Sequence, residues 1–295
     1  MEADGEDVLV ARALTALGLA ATSIALAACG SGGTVSADPV ANAATKTAKV
    51  ASYHVTTTTR MRLPNASKDL TFTGDGVFDP KARRGRMSLD LSQLSQLQGP
   101  QGSPYSFGYA QFVLNGTDMY MRIPLLRQLN PVLKPWIKID LAQGGKAQGV
   151  DFSSFLQFGQ GGDPTQTLQF LRATGRLQKV GAEDVRGVAT TRYKGEIELK
   201  NVPGAAPAKL RPGLRKAVDR LIQLTGKTTI PVEVWVDKQG YVRRETYTEE
   251  LKIQGRKTKV TDSMELYNFG VPVIAPLPPA SDVTDLSGAG GGAQS

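Results

Sequence analysis

Cysteine, histidine and tryptophan are almost missing from this sequence. The 295 residues include one cysteine (Cys29), one histidine (His54) and two tryptophans. A single cysteine cannot form an intramolecular disulfide or a cysteine-cluster zinc site. A single histidine excludes a histidine-pair metal site and leaves at most one imidazole base. We therefore expect no metal and no cofactor, and the composition disfavours the catalytic classes that depend on several of these side chains.

Acidic residues are outnumbered by basic ones. The chain has 35 Lys and Arg against 27 Asp and Glu, a net charge of +8. The basic residues are spread along the chain and are not interleaved with aromatic residues, so we expect no nucleic-acid partner. An apolar content of 40% with 32 glycines is typical of a globular protein.

The N-terminal region contains an apolar run from Ala13 to Ala28 without a charged residue. It is shorter than the ~20 residues of a membrane-spanning helix, but it fits the core of a secretory signal peptide. It ends in Leu26-Ala27-Ala28-Cys29, which resembles the lipobox of bacterial lipoproteins. That resemblance implies acylation of Cys29 and removal of residues 1–28. The alternative is a lone buried cysteine in a core helix, which the following Gly30-Ser31-Gly32-Gly33 disfavours.

The predicted cleavage changes the charge and the location of the protein. Removal of residues 1–28 leaves 34 basic and 23 acidic residues, a net charge of +11. Two or three acyl chains make a stable membrane anchor, whereas one does not. We expect an exported protein, anchored at the outer face of the cytoplasmic membrane, with residues 29–37 as a flexible tether. The basic surface suits anionic headgroups or wall polymers; the alternative is a solvated surface without a partner.

The rest of the chain is predicted to form consecutive strands with a few inserted helices. Period-two alternation runs from Tyr53 to Leu63, and Asn115-Gly116 predicts a hairpin turn. Asp38-Pro39 and Asp163-Pro164 each predict a helix start, and an apolar stripe predicts a helix within 208–224. Residues 92–106, rich in Gln, Ser, Gly and Pro, are expected to form a long loop.

The lack of regular strand–helix alternation argues against a parallel sheet. We predict one α+β domain over residues 38–276: a large curved antiparallel sheet, or half-barrel, with helices covering its concave face. Residues 277–295, rich in Pro and Gly, are predicted to be a disordered tail.

A sheet of about ten strands curls, and the gap beneath its helices would be an apolar cavity suited to acyl chains. The candidate lining residues alternate along the predicted strands or lie on the apolar stripes of the helices. They are Met61, Leu63, Phe72, Met87, Leu89, Met119, Met121, Leu168, Leu171, Leu214, Val218 and Leu221. Four are methionines, which adapt to varied apolar ligands. The alternative is an ordinary dry core.

Two groups of residues that suggest catalysis are interpreted otherwise. His54 lies on a threonine-rich strand with Arg60 and Arg62 on the same face, which predicts an exposed sheet face. Glu245, Glu249 and Glu250 lie among arginines and a lysine, and we interpret them as partners in cross-strand ion pairs. We therefore predict no catalytic residue and no enzyme activity.

Several stretches in order resemble the LppX/LprAFG-like lipoproteins of actinobacteria, which are related in fold to the LolA and LolB carriers. They include the sequences SYHV at 52–55, WIKID at 136–140, VGAEDVRGV at 180–188, PVEVWVD at 231–237 and FGVPV at 269–273. The resemblance implies a LolA-like half-barrel that binds and moves lipids or glycolipids in the cell envelope. It implies that Cys29 is the lipidation site, but it identifies no residue that contacts the ligand.

Three functions remain as hypotheses from the sequence. The first is a lipid or glycolipid carrier that acts without catalysis, as a monomer, with a lipid ligand and an envelope transporter as further partners. The second is an envelope sensor or scaffold of the same fold that carries nothing. The third is an enzyme acting on wall polymers, which needs two opposed carboxylates that no spacing singles out.

Overall fold

A computed structural model describes most of the chain after the tether. The described residues are 39–47, 49–62, 69–98, 107–140, 146–147, 150–151, 177–205, 208, 211–253 and 256–287. The predicted signal peptide, Cys29 and the tether lie outside them, as do residues 163–175, where a helix is predicted.

Strands dominate the described residues. The strands are β1 (Tyr53–Arg62), β2 (Leu70–Asp79), β3 (Arg84–Asp90), β4 (Tyr109–Asn115), β5 (Asp118–Arg122), β6 (Trp136–Asp140), β7 (Lys146–Ala147), β8 (Val150–Asp151), β9 (Gln178–Val185), β10 (Val188–Glu198), β11 (Thr229–Asp237), β12 (Val242–Ile253), β13 (Arg256–Tyr267) and β14 (Val283–Asp285). The α-helices are α1 (Pro39–Thr47), α2 (Pro124–Leu129), α3 (Val202–Ala205) and α4 (Arg211–Thr225), and short 3₁₀ turns cover Ser92–Gln98, Leu199–Asn201 and Ala280–Asp282.

Twelve of these strands form one open sheet. Its order is β14-β6-β5-β4-β3-β2-β1-β13-β12-β11-β10-β9, and β7 and β8 pair separately. Every neighbouring pair is antiparallel except β14 and β6. Two meanders, β1 to β6 and β9 to β13, meet where β1 pairs with β13. The predicted α+β fold with one large antiparallel sheet is confirmed.

One face of the sheet is buried because apolar residues recur at every second position. We call it the inner face; Val55, Phe72, Met87, Met121 and Val234 lie on it. On β1 the burial alternates residue by residue over most of the strand, as period-two side-chain geometry requires.

Helices cover the inner face from both ends of the sheet, as predicted. Val40, Ala43 and Ala44 of α1 and Val218 of α4 pack with Val232, Val234 and Val236 of β11 in one cluster. On the other side, Leu125 of α2 and Leu94 of the 3₁₀ turn join the cluster formed by β1 to β4 and β13. The apolar side chains of these helices are therefore buried against the sheet.

The structure differs from the sequence predictions in the tail and in the loop. Val283–Asp285, expected to be disordered, add strand β14 to the sheet edge, and Leu286 is buried beside β6. Ser92–Gln98, expected to be loop, form a 3₁₀ turn in which Leu94 is buried. In both cases one leucine, Leu286 or Leu94, packs against apolar residues of the sheet. The composition of the surrounding polar stretch does not reveal this contact.

Candidate functional site

The inner face gathers some of the predicted cavity residues and separates others. Met61, Phe72, Met87 and Leu89 lie in one cluster, each only 3–7% exposed. This cluster also contains Met264 of β13. The sheet register explains the grouping, because Thr57 pairs with Gly74 and Gly74 pairs with Leu89.

The other predicted residues lie elsewhere. Met121 is buried in a second cluster, against which Met119 packs, and Val218 is buried in the third cluster under α4. Leu214 is partly buried on α4, and Leu221 lies on the same helix. Leu63, Leu168 and Leu171 lie outside the described residues. The structure therefore places seven of the twelve candidates in or against three clusters along one sheet face.

Gly74 allows close packing at the centre of the first cluster. A Cβ atom at this position would collide with the side chains of Leu89, Met87 and Thr57. Gly76 is more constrained, because a Cβ there would lie 2.7 Å from the backbone oxygen of Arg86. Because these glycines have no side chain, neighbouring groups such as the side chains of Leu89 and Met87 can occupy the space above them on the inner face.

A band of polar side chains crosses the inner face on β12 and β13, and the sequence interpretation missed it. Val260 pairs with Glu249, Asp262 with Tyr247 and Met264 with Glu245, so all of them share the face that carries Val55. The hydroxyl of Tyr247 donates to Oε2 of Glu245 at 3.1 Å, and Oγ1 of Thr59 donates to Oδ1 of Asp262 at 2.6 Å. Glu245 is only 3% exposed.

The three glutamates, for which the sequence predicts cross-strand ion pairs, differ from one another in the structure. Glu250, on the outer face, forms an ion pair at 3.5 Å with Lys227, which precedes β11. Oε2 of Glu249 is buried without a hydrogen-bond partner among the described residues. The signal was available in the sequence: Glu245 and Glu249 alternate with outward residues and share their parity with Tyr247 and Leu251.

Burial changes the acidity of two carboxyl groups in this band. Desolvation, followed by the charge of Asp262, raises the pKa of Glu249 to about 7, and Lys227 opposes this weakly. Desolvation also raises the pKa of Asp262, against the hydrogen bond from Thr59. A carboxylic acid kept neutral near pH 7 can donate a hydrogen bond as well as accept one.

The opposite, outer face carries a network of charged and aromatic side chains. Arg244 bonds Glu183 at 2.9 Å and Glu265 at 2.8 Å, and Arg186 bonds Glu265 at 2.7 Å. The guanidinium of Arg186 lies 4.0 Å from the ring centroid of Tyr267. This network consists of ion pairs and stacked groups that join neighbouring strands.

His54 belongs to this outer face, as predicted. Its ring lies 5.4 Å from that of Tyr267 on the paired strand. Its alternation with buried Tyr53 and Val55 places it away from the carboxyl groups of the inner face.

Two of the surface cavities are lined by described residues. One, of about 310 Å³, is lined by α2 and neighbouring residues that include Arg122, Arg127 and Pro135. The other, of about 360 Å³, lies between α1 and the β11–β12 turn and includes Lys46, Tyr193 and Lys238. Neither is lined by a predicted cavity residue, and both combine charged and apolar atoms.

The described part of the chain holds no group of three or more His, Cys, Asp or Glu side chains arranged to bind a metal ion. Within these ranges, none of the helices has both the length and the apolar character that crossing a bilayer requires.

Comparison with known proteins gives one relative by sequence. No family model matches the chain. An uncharacterized 31.2 kDa protein in the rplA-rplJ intergenic region of Streptomyces griseus is 32% identical over 156 residues, 52% of this chain and 48% of the relative. The chain thus spans about half the length of this curated relative.

Comparison by structure finds lipoproteins and LolA-type proteins. LprF from Mycobacterium bovis has a TM-score of 0.45 at 14% identity, covering 81% of this chain and 95% of LprF. Lipoprotein LppX from Mycobacterium tuberculosis has a TM-score of 0.45 at 15% identity, covering 81% of this chain and all (100%) of LppX. A LolA superfamily protein from Nitrosomonas europaea has a TM-score of 0.29 at 10% identity, covering 81% and 96%. These structures include the family that the sequence motifs resemble.

Proposed function

We propose that this chain is an envelope lipoprotein whose inner face binds lipids or glycolipids and transfers them without catalysis. Acyl chains on Cys29 hold it at the outer face of the cytoplasmic membrane. It works as a monomer and passes its ligand to an envelope transporter. The lipobox-like sequence before Cys29 supports the anchor, and the sequence resemblance to lipid-carrying lipoproteins supports the ligand class.

The distribution of methionine carries the proposal. The chain has six methionines, and all except Met1 lie on the inner face: Met61, Met87, Met119, Met121 and Met264. Methionine has three rotatable bonds and a polarizable sulfur, so it can repack around apolar chains of different shape. A dry core that serves only stability favours Leu, Ile and Val, whose rotamers are better defined.

The open edges of the inner face also support a carrier. The apolar side chains form three clusters that separate elements cover, and the sheet does not close into a barrel. Movement of these covering elements away from the sheet would expose the apolar side chains of each cluster, with the polar band of β12 and β13 between two of the clusters. The apolar surfaces suit acyl chains, because burial of each CH₂ contributes about 0.8 kcal/mol.

Identification of co-purifying lipid tests this function. The Cys29→Ser variant of the full chain, which cannot be acylated, is purified from cells. Its mass is measured by native mass spectrometry before and after extraction with organic solvent. We expect a mass increment of one lipid per chain that solvent extraction removes. A chain that holds no lipid after purification and after incubation with envelope lipids contradicts the proposal.

The second candidate is an envelope sensor or scaffold that carries nothing. It is favoured by the tight packing of Met61, Phe72, Met87 and Leu89, which already exclude solvent from one another. A scaffold predicts the same thermal unfolding with and without envelope lipids. A carrier is stabilised by its ligand according to the ligand concentration relative to its Kd.

A further inference from the structure

We propose that Glu249, Thr258 and Asp262 form a recognition point on the inner face for an uncharged hydrogen-bonding group of the ligand. That group is a hydroxyl or ester carbonyl joined to apolar chains, so the preferred ligand is a neutral lipid rather than an anionic phospholipid. The inference rests on the proposed function and names its ligand class.

Two unpaired polar atoms mark this point. Oε2 of Glu249 and Oγ1 of Thr258 are buried, and in the part of the chain that the structure describes neither has a hydrogen-bond partner. Thr258 is 0% exposed. Buried polar groups are almost always hydrogen-bonded in native proteins, because an unpaired one costs about 1–3 kcal/mol. Two unpaired groups on one small area of the sheet therefore indicate a polar partner that reaches both.

The sheet register brings these groups together. Glu249 pairs with Val260, and Thr258 and Asp262 lie two residues on either side of Val260 on β13. All three side chains consequently lie on the inner face, and diagonal neighbours in an antiparallel pair are within reach of long side chains. Val260 and Met264 are buried and apolar beside them. The recognition point therefore lies next to apolar side chains that would contact the acyl chains of the ligand.

The charges around Glu249 disfavour an anion. Asp262 on β13 and Glu245 on β12 face it from the same side of the sheet. The cation that acts on it, Lys227 after α4, is already paired with Glu250 at 3.5 Å. Thr59 and Tyr247 donate to the neighbouring acids and bring no charge. A phosphate or carboxylate placed here would face Asp262 and Glu245, and the cation that acts on Glu249 is already held by Glu250.

An uncharged group fits the chemistry of the point. Burial keeps the pKa of Glu249 at about 7, so below that pH its carboxyl group has an O–H donor and a carbonyl acceptor. The hydroxyl of Thr258 also donates and accepts. A ligand hydroxyl can bond both, and an ester carbonyl can accept from either. Above pH 7 Glu249 ionises, loses its donor and becomes harder to cover with an apolar ligand.

Two lipids that differ only in a phosphate test the inference. Binding of fluorescent diacylglycerol and fluorescent phosphatidic acid with identical acyl chains is measured for the full Cys29→Ser chain between pH 6 and pH 8. The variants are Glu249→Gln, Glu249→Met and Thr258→Val, with Glu196→Gln, at an exposed position on the outer face of β10, as the matched control. Glu249→Gln keeps shape and hydrogen bonding, so it serves where Glu249→Met fails to fold.

We expect wild type to bind diacylglycerol at least tenfold more tightly than phosphatidic acid at pH 6. Its affinity for diacylglycerol falls between pH 6 and pH 8, whereas that of Glu249→Gln stays constant. Glu249→Met and Thr258→Val each lose about tenfold in this affinity, the size of one hydrogen bond, and Glu196→Gln loses none. Equal binding of both lipids, with no loss in Glu249→Met and Thr258→Val, overturns the recognition point and leaves the carrier function standing. Binding of neither lipid to any variant, with no co-purified lipid, overturns both.

Discussion

The indole nitrogen of Trp235 donates a hydrogen bond to a carboxylate oxygen of Glu183 at 2.9 Å. Trp235 lies on β11 and Glu183 on β9, so this bond crosses β10 and ties the edge strand to the sheet. The guanidinium groups of Arg192 and Arg244 lie 5.2 and 5.1 Å from the indole ring centroid. The edge strand is mostly exposed and is held by these outer-face contacts in addition to its backbone ladder.

Trp235→Phe should lower the free energy of unfolding by about 1–3 kcal/mol, because the ring is buried and its hydrogen bond is lost. Urea unfolding measures the loss. A double-mutant cycle with Glu183→Gln isolates the pair, and we expect a coupling energy of about 1 kcal/mol. Additive effects of the two substitutions would show that the bond contributes nothing.

The pKa of Glu183 is lowered, first by the hydrogen bond from Trp235 and then by the charges of Arg244 and Arg192. A carboxyl group with a lowered folded-state pKa stabilises the protein above its unfolded-state pKa and loses this contribution as the pH falls through the folded value. Wild type should therefore lose more stability than Glu183→Gln between about pH 5 and pH 3. Thermal unfolding across this range measures the difference, and parallel curves contradict the prediction.

Glu249 should have the opposite pH dependence. Its pKa is raised from 4.5 to about 7 in the folded state. The folded chain then holds a proton that the unfolded chain has released, so stability falls as the pH rises from about 4.5 to about 7 and is level above that. The shift corresponds to a penalty of about 3 kcal/mol at pH 8. Glu249→Gln should remove this slope and be more stable than wild type at pH 8, as measured by urea unfolding at pH 5 and pH 8. An unchanged slope would show that Glu249 ionises normally.

Gly76→Ala should destabilise the sheet more than Gly74→Ala. The methyl group at position 76 meets the backbone oxygen of Arg86, which cannot move without disturbing the β2–β3 pairing. The methyl group at position 74 meets the ends of flexible side chains, which can rotate. We expect a loss of about 1–3 kcal/mol for Gly76→Ala and less for Gly74→Ala in urea unfolding. The reverse order contradicts the packing described for the inner face.

Cys29→Ser should release the protein from the membrane. Without the thiol no diacylglyceryl group can be attached, and the flanking sequence cannot replace two or three acyl chains as an anchor. Fractionation and incorporation of radiolabelled palmitate measure the change. We expect wild type to be labelled in the membrane fraction and the variant to be unlabelled. Labelled Cys29→Ser protein would place the lipid elsewhere.

Local patterns in the sequence are sufficient to predict many of the strands, turns and helices of the fold. Asn115-Gly116 predicts the β4–β5 hairpin, and Gly116 has the positive φ of 65° that such a turn needs. The apolar stripe of α4 predicts the helix and its buried Val218. Patterns of a few residues decide these elements, so one sequence contains enough information.

Long-range contacts decide the parts that the sequence does not predict. The three residues of β14 pair with β6, which lies more than 140 positions earlier in the chain, and no local pattern announces that partner. The role of Glu249 depends on Val260 and Asp262 of the paired strand. A glutamate surrounded by arginines in the sequence looks solvated, and only the register shows that its side chain shares a face with apolar neighbours.

The pairing of β1 with β13 sets the time at which the molecule can finish folding. His54 lies opposite Tyr267 and Arg62 opposite Lys259, so the ladder at the middle of the sheet joins residues about 200 positions apart. Strand β1 has a paired strand on both sides only after almost the whole chain has been made, because one of its two neighbours is β13. Synthesis delivers β13 after most of the other strands, and closure of such a distant pair is slow. Under the export that we propose, a chain that completes its central sheet so late can cross a membrane as an extended polypeptide and acquire its stable form on the far side.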